Sequence, residues 1–181
     1  MSEPAAADAA AGPSPRWLGA GLALGALVVD QAHKLWMLYV YDIAARQPVR
    51  VTPFFDLVLA WNPGVSYSLF AASTDAGRWI LLALTLAVTA GLAAWMWRAP
   101  NRLSGSGLGL IVGGALGNAW DRYSYGAVAD FFYFFVDTER FGRLSWYVFN
   151  IADAAIVAGV ALLLYESIRS DRGTGPGQTA A

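Results

Sequence analysis

The chain has 181 residues, of which 57% are hydrophobic and 14% are charged, and its formal net charge is −1. Soluble domains carry about 25% charged residues, so the composition indicates a membrane protein. A near-neutral charge without a basic block argues against a nucleic-acid partner. With no cysteine and a single histidine, His33, the chain can form neither a thiol nucleophile nor a zinc–thiolate or multi-histidine metal site.

Four apolar stretches are long enough to cross a bilayer as helices, because a hydrocarbon core of about 30 Å needs roughly 20 helical residues. They lie at about 17–40, 79–97, about 103–121 and about 146–166. No small-residue cleavage site follows the first stretch, which we therefore interpret as a retained helix. One face of the third helix is expected to pack closely against a neighbour, because glycine recurs there every four positions, at Gly105, Gly109, Gly113 and Gly117.

The two ends of the chain are poor in large apolar residues. Residues 1–15 are mainly alanine, proline, glycine and acidic residues, and residues 170–181 are polar and rich in glycine. Neither segment can bury enough apolar surface to offset the entropy lost on ordering. We therefore expect disordered tails at 1–15 and 170–181 around a single four-helix membrane domain at 16–169.

Arginine residues predict the orientation of the helices. Four spans put both termini on one side, together with the short link that carries Arg98 and Arg102 without an acidic neighbour. By the positive-inside rule this side is cytoplasmic. The two longer loops also contain arginines, but they carry acidic residues as well.

Polar side chains inside or beside the apolar stretches point to a functional site. An Asp at the centre of a membrane helix costs about 2.5–3.5 kcal/mol, and such residues usually face a bundle interior or water. Because the first and third helices run outward and the fourth runs back, one group falls near the outer face: Asp30, Lys34, Asn118, Asp121, Arg122, Asp130, Asn150 and Asp153. Asp30 and Lys34 share a helix face, so we expect a structural ion pair.

Asp130 and Asp153 differ from the other carboxylates because neither has a basic residue within four positions and both lie in apolar sequence. If the two side chains meet, repulsion between like charges makes them share one proton. Such a pair suits peptide hydrolysis: one carboxylate takes a proton from water while its protonated partner donates to the scissile carbonyl oxygen. This chemistry needs no covalent intermediate, metal or other cofactor.

Two other classes of function remain open from the residues alone. A proton- or ion-coupled transporter would also place carboxylates in a membrane, although a short chain without a convincing repeat and with carboxylates on one side argues against it. A non-catalytic membrane scaffold would use the glycine-rich face, and it predicts that replacing either aspartate is harmless.

Four motifs occur in the order found in the lipoprotein signal peptidase (signal peptidase II) family, which the chain resembles over nearly its whole length between the tails. They are DQ-x-x-K at 30–34, N-x-G-x-x-aromatic-S at 62–68, GGA-x-GN-x-x-DR at 113–122 with G-x-V-x-DF at 126–131, and FN-x-AD at 149–153. The family often has serine after the last aspartate, where this chain has Ala154.

The resemblance implies that Asp130 and Asp153 are the catalytic pair and that no metal or cofactor takes part. It implies a substrate-binding or site-supporting role for Asn62, Gly64, Asn118, Arg122 and Asn150. It implies a more structural role for Asp30, Lys34 and Asp121. The implied substrate is a diacylglyceryl-modified prolipoprotein, which is cut just before the lipidated cysteine.

The resemblance also implies a location in the bacterial cytoplasmic (inner) membrane, with the termini cytoplasmic and the active site near the outer leaflet. The implied partners are lipid-modified prolipoproteins, the phospholipid bilayer and globomycin-like cyclic peptide inhibitors. The resulting expectation is an all-α membrane protein with four transmembrane helices, a small extracytoplasmic β-like platform within 41–77, and a loop over the active site at 131–149.

Overall fold

The computed structural model describes residues 12–64 and 75–173. The predicted tail residues 1–11 and 174–181, and positions 65–68 of the second motif, lie outside this part of the chain. In chain order the elements are α1 (Pro15–Leu35), a π-helical turn (Trp36–Val40), α2 (Ile43–Arg46), β1 (Val49–Thr52), β2 (Phe55–Asn62), α3 (Asp75–Trp97), α4 (Arg102–Tyr125), β3 (Val128–Thr138), β4 (Gly142–Ser145) and α5 (Ile151–Gly173).

The four long helices coincide with the four apolar stretches, and local signals set their ends. The Asn101 side chain caps α4 by accepting the Ser104 backbone N–H at 2.9 Å, and Gly126, with φ of 81°, ends the same helix. α5 begins at Ile151, later than the predicted 146, and it extends to Gly173, past the predicted boundary at 170. Its last turns include a hydrogen bond from Ser170 Oγ to Glu166 Oε1 at 3.2 Å.

Within the described residues, two helices are long and apolar enough to cross a membrane by length and composition, Ala76–Trp97 and Ile151–Ser170. The helices α1 and α4 have 21 and 24 residues, which is also enough to span about 30 Å of hydrocarbon. They carry the polar residues of the DQ-x-x-K and GN-x-x-DR motifs, which lowers their apolar content.

Helix α4 lies at the centre of the bundle and packs against α1, α3 and α5. A Cβ atom built on Gly109 or Gly113 would lie less than 3.0 Å from backbone atoms of α1, so these backbones are in direct contact. This confirms the close packing predicted for the glycine face. A second set of glycines, which includes Gly107 and Gly114, makes the same kind of contact with α5.

A four-stranded antiparallel sheet with the order β1-β2-β3-β4 accompanies the bundle. The β-like platform predicted within 41–77 is present as β1 and β2. The loop predicted at 131–149 is wrong, because most of this segment forms the β3–β4 hairpin. The aromatic run 131–135 shows no alternation in the sequence, and the first four residues of β3 are all buried, so the two-residue period of a half-exposed strand is absent there.

The sheet is attached to the bundle by a small apolar core at the C-terminal end of α1. Met37, Ile43, Ala129 and Phe131 are buried together there. Phe131 and Ala129 flank Asp130 on β3, so this core fixes the strand on both sides of that aspartate. The protein is therefore mostly helical, with a small sheet that brings β3 to one end of the bundle.

Candidate active site

Asp130 lies on β3 and is almost fully buried, with 2% of its surface exposed. Its two carboxylate oxygens accept hydrogen bonds from the side-chain amides of Asn150, at 2.7 Å, and Asn62, at 3.2 Å. Burial first, and then the negative charge of Asp153, raise the pKa of Asp130 from 3.8 to about 6; the two amides and the Lys34 charge act in the opposite direction.

Asp153 lies in the first turn of α5, and two hydrogen bonds with Asn150, which caps this helix, fix its position. The Asn150 side-chain oxygen accepts the Asp153 N–H at 2.9 Å, and an Asp153 oxygen accepts the Asn150 N–H at 3.2 Å. This reciprocal pair is a capping box, and the dipole of the helix favours a negative charge at this end. The other Asp153 oxygen accepts the Asn118 amide at 2.8 Å.

Asn150 and Asn118 connect the two aspartates. The Asn150 amide nitrogen lies 2.7 Å from an Asp130 oxygen and 3.1 Å from the Asn118 oxygen, and the Asn118 nitrogen donates to Asp153. Lys34 Nζ donates to the same Asn118 oxygen at 3.3 Å. Because an ammonium group only donates, this contact fixes which end of the Asn118 amide faces Asp153.

A buried ion cluster contacts Asn118 through Lys34. Lys34 Nζ lies 2.8 Å from carboxylate oxygens of both Asp30 and Asp121, and all three side chains are at most 2% exposed. The predicted Asp30–Lys34 pair is therefore present, and Asp121 joins it from α4. The Gln31 amide donates to Asp30 at 3.1 Å and to Asp121 at 3.0 Å.

Gln31 is a site residue that sequence reasoning missed, although it stands inside the DQ-x-x-K motif. Arg78 on α3 was also missed. Its guanidinium donates to the carbonyl oxygens of Arg122, at 2.9 Å, and Tyr123, at 2.5 Å, and so caps the C-terminal end of α4. Only the motif position could have indicated Gln31, and no sequence signal singles out Arg78.

The remaining predicted site residues lie around the mouth of the site. Asn62 is exposed at the end of β2 and accepts the Gly64 N–H at 3.0 Å, where the backbone φ of Gly64 is 110°. Arg122 is half-buried and donates to the Asn118 carbonyl oxygen at 3.4 Å, while its Nε has no partner among the described residues. Its charge acts on both Asp153 and Asp130.

All of the predicted site residues are thus joined in one network. Gly64 is the most peripheral member and is connected through Asn62. Within residues 12–64 and 75–173, no group of three or more His, Cys, Asp or Glu side chains is placed to hold a metal ion.

Sequence comparison finds known proteins that match most of the chain. The profile of the family described as signal peptidase (SPase) II matches residues 22–169. A lipoprotein signal peptidase from Methylocella silvestris is 58% identical over 164 residues, which cover 91% of this chain and 93% of that protein. One from Beijerinckia indica is 58% identical over 158 residues, covering 87% and 92%. The chain belongs to the signal peptidase II family.

Solved structures agree on the fold. A bacterial membrane enzyme determined by the in meso method superposes with a TM-score of 0.69 at 22% identity, covering 90% of this chain and 94% of that one. A second superposes with a TM-score of 0.62 at 24% identity, covering 82% and 90%. As a signal peptidase II, the protein is a membrane-associated peptidase, and the transporter and scaffold alternatives are not favoured.

Proposed function

We propose that this protein removes signal peptides from diacylglyceryl-modified prolipoproteins by cutting just before the lipidated cysteine, with Asp130 and Asp153 as the catalytic pair. The observation that carries the assignment is the position of the two carboxylates on either side of Asn150, which contacts both. The other two aspartates of the network are both ion-paired with Lys34 and are fully buried, so they are poorly placed to receive a substrate.

Asp130 and Asp153 have different roles in the proposed reaction. Asp130 carries the proton, because it lies on a buried strand and its pKa is raised to about 6. Asp153, at the start of α5, takes a proton from water, and the resulting hydroxyl attacks the scissile carbonyl carbon while Asp130 donates its proton to the carbonyl oxygen. When this intermediate collapses, one of its hydroxyl groups returns a proton to Asp130, the peptide bond breaks, and Asp153 gives its proton to the amine of the lipidated cysteine.

Polar groups at the mouth of the site hold the substrate backbone. A signal peptide enters as an apolar helix and must be unwound near the cleavage site, where its backbone groups lose their partners and have little water. The exposed side chain of Asn62 lies beside Asp130, where its amide can hydrogen-bond such groups, and the half-buried guanidinium of Arg122 lies close enough for its charge to act on both carboxylates. Gly64 shapes the adjoining turn.

The proposed location is the bacterial cytoplasmic (inner) membrane, crossed by α1, α3, α4 and α5 with both termini cytoplasmic. The exposed Arg98 and Arg102 then lie on the cytoplasmic side, as the positive-inside rule requires. The site and the sheet lie at the outer leaflet, where exposed apolar side chains of the β3–β4 hairpin rest on the bilayer: Phe134, Val136 and Leu144. The acyl chains of the substrate stay in the lipid.

The substrate assignment is tested by cleavage of a prolipoprotein by the purified enzyme in detergent, followed as a shift on a gel. We expect the diacylglyceryl-modified precursor to be cut and a matched precursor without the lipid to be cut at least about 100-fold more slowly, because binding energy from the lipid is used at the reacting bond. Equal cleavage of both precursors would contradict the lipid requirement. Globomycin-like cyclic peptides should block the reaction.

The pH dependence tests the assignment of the proton to Asp130. Because the active form keeps this proton, we expect kcat/KM of the free enzyme to fall as the pH rises above about 6. It should fall again at low pH, where both carboxyls are protonated. A rate that rises monotonically over the accessible pH range would contradict the shared proton.

The same pKa shift predicts a change in stability. The folded protein retains a proton that the unfolded chain has already released, so the stability should decrease as the pH rises from 3.8 to about 6. Thermal unfolding of the wild type and Asp130→Asn across this window measures the effect, which the variant should lack.

A further inference from the structure

The buried ion cluster of Asp30, Lys34 and Asp121 makes contacts beyond its own ion pairs, and these contacts lead to both catalytic aspartates. We propose that Lys34 is a positioning residue for the reaction: it anchors two carboxylates that hold the backbone just before Asp153 and just before Asp130. The proposal rests on the assignment of Asp130 and Asp153 as the catalytic pair.

The first connection runs from α1 to the start of α5. Asp30 uses one carboxylate oxygen to accept Lys34 at 2.8 Å. Its other oxygen accepts the backbone N–H of Ala152 at 2.9 Å, across 122 positions of sequence. Ala152 directly precedes Asp153, so this bond fixes the first turn of α5 from which the Asp153 side chain projects.

The second connection runs from α4 to β3. Asp121 accepts Lys34 at 2.8 Å, and the same carboxylate oxygen accepts the backbone N–H of Ala129 at 3.2 Å. Ala129 directly precedes Asp130. The cluster therefore makes the same bond twice, each time to the residue before a catalytic aspartate, although one lies on a helix and the other on a strand.

A third contact acts on a side chain rather than on the backbone. The donation from Lys34 Nζ to the Asn118 oxygen, at 3.3 Å, leaves the Asn118 nitrogen facing Asp153 at 2.8 Å. Lys34 thus reaches the catalytic pair by three routes, two of which set main-chain positions.

A role in helix packing alone does not account for these bonds. The backbones of α1 and α4 are already in direct contact along the glycine face. Buried ion pairs are often no more stabilising than apolar packing of the same volume, so a cluster retained for stability alone would have little advantage. Positioning has a large effect on rate, because a displacement of about 1 Å at a reacting group can cost on the order of 10²-fold.

The test compares Asp30→Asn and Asp121→Asn with Asp30→Leu and Asp121→Leu. Asparagine keeps an oxygen that accepts the Ala152 or Ala129 N–H but lacks the negative charge that pairs with Lys34, whereas leucine removes both the charge and the acceptor. We expect kcat per folded enzyme to fall about 10-fold in the asparagine variants and about 100-fold in the leucine variants, with KM for the lipidated prolipoprotein changed less than about threefold.

Thr89→Ala is the control, because Thr89 is buried on α3 and its hydroxyl donates to the Thr85 carbonyl oxygen of the same helix, away from the network. It should lower the unfolding temperature and leave kcat of the folded fraction near the wild-type value. The positioning role is overturned if the folded asparagine variants retain the kcat of this control, or if only their KM changes. This comparison does not depend on whether the leucine variants fold.

Asp130→Asn and Asp153→Asn, measured in the same assay, separate the two proposals. Retained activity in either variant would contradict the assignment of the catalytic pair, independently of the role of the ion cluster. Inactivity in both, combined with full kcat in Asp30→Asn and Asp121→Asn, removes only the positioning role.

Discussion

Asp130→Asn and Asp153→Asn are each expected to lower kcat for a lipidated prolipoprotein by about 10³-fold or more, since general acid–base catalysis alone contributes on the order of 10²–10⁴-fold and each variant removes one partner. An asparagine at 130 has no proton of suitable acidity to give the carbonyl oxygen. An asparagine at 153 cannot take a proton from water. Each variant has the shape of aspartate and keeps one of the two oxygens that accept neighbouring N–H groups, so the fold should be largely preserved.

The measurement is gel-shift cleavage by purified protein in detergent, with folding checked by thermal unfolding. Asp137→Asn is the matched control: Asp137 lies on the same strand as Asp130, but its carboxylate is 58% exposed and pairs with Arg143 at 2.8 Å. We expect this control to cleave at the wild-type rate. Full activity in Asp130→Asn or Asp153→Asn would remove that residue from catalysis.

Gly113→Leu is expected to destabilise the protein by about 3 kcal/mol or more, because overpacking of a close contact is costly when no side chain can move aside. A Cβ at this position would lie less than 3.0 Å from the backbone of Ala23 on α1. The two helices would have to separate, and Asp121 would then move away from Lys34, so activity should be lost together with the fold.

Gly25→Leu on α1 is the control, since a Cβ there has nothing within 4 Å. Thermal unfolding in detergent should show a large decrease in the midpoint for Gly113→Leu and almost none for Gly25→Leu. Equal midpoints for the two variants would contradict the direct contact between the α1 and α4 backbones.

Periodicity in the sequence was sufficient to predict the glycine contact. Residues four apart fall on one face of a helix, so the spacing of Gly109 and Gly113 already indicated where a neighbouring backbone could approach. The same reasoning paired Asp30 with Lys34. The sequence could not identify the neighbours, and the structure places α1 on one side of α4 and α5 on another.

The hairpin of β3 and β4 could not be predicted in the same way. The aromatic run 131–135 is compatible with an interfacial loop or a strand, because periodicity alone does not separate short apolar segments. Pairing decided the outcome: β3 hydrogen-bonds to β2, which is distant in the sequence, and Ala60 lies opposite Asp130 in the register. Strand pairing over such distances depends on the whole fold.

By itself, the sequence determined the membrane character of the chain, its four long helices and the group of polar residues that forms the candidate site, because composition, helical period and motif order are local properties. Only the tertiary structure decided how those residues connect: Asp121 meets Lys34, and Asp30 reaches the N–H of Ala152 across 122 positions. The physical reason is that a buried charge or N–H must find a partner, and which group supplies it depends on how separate elements pack.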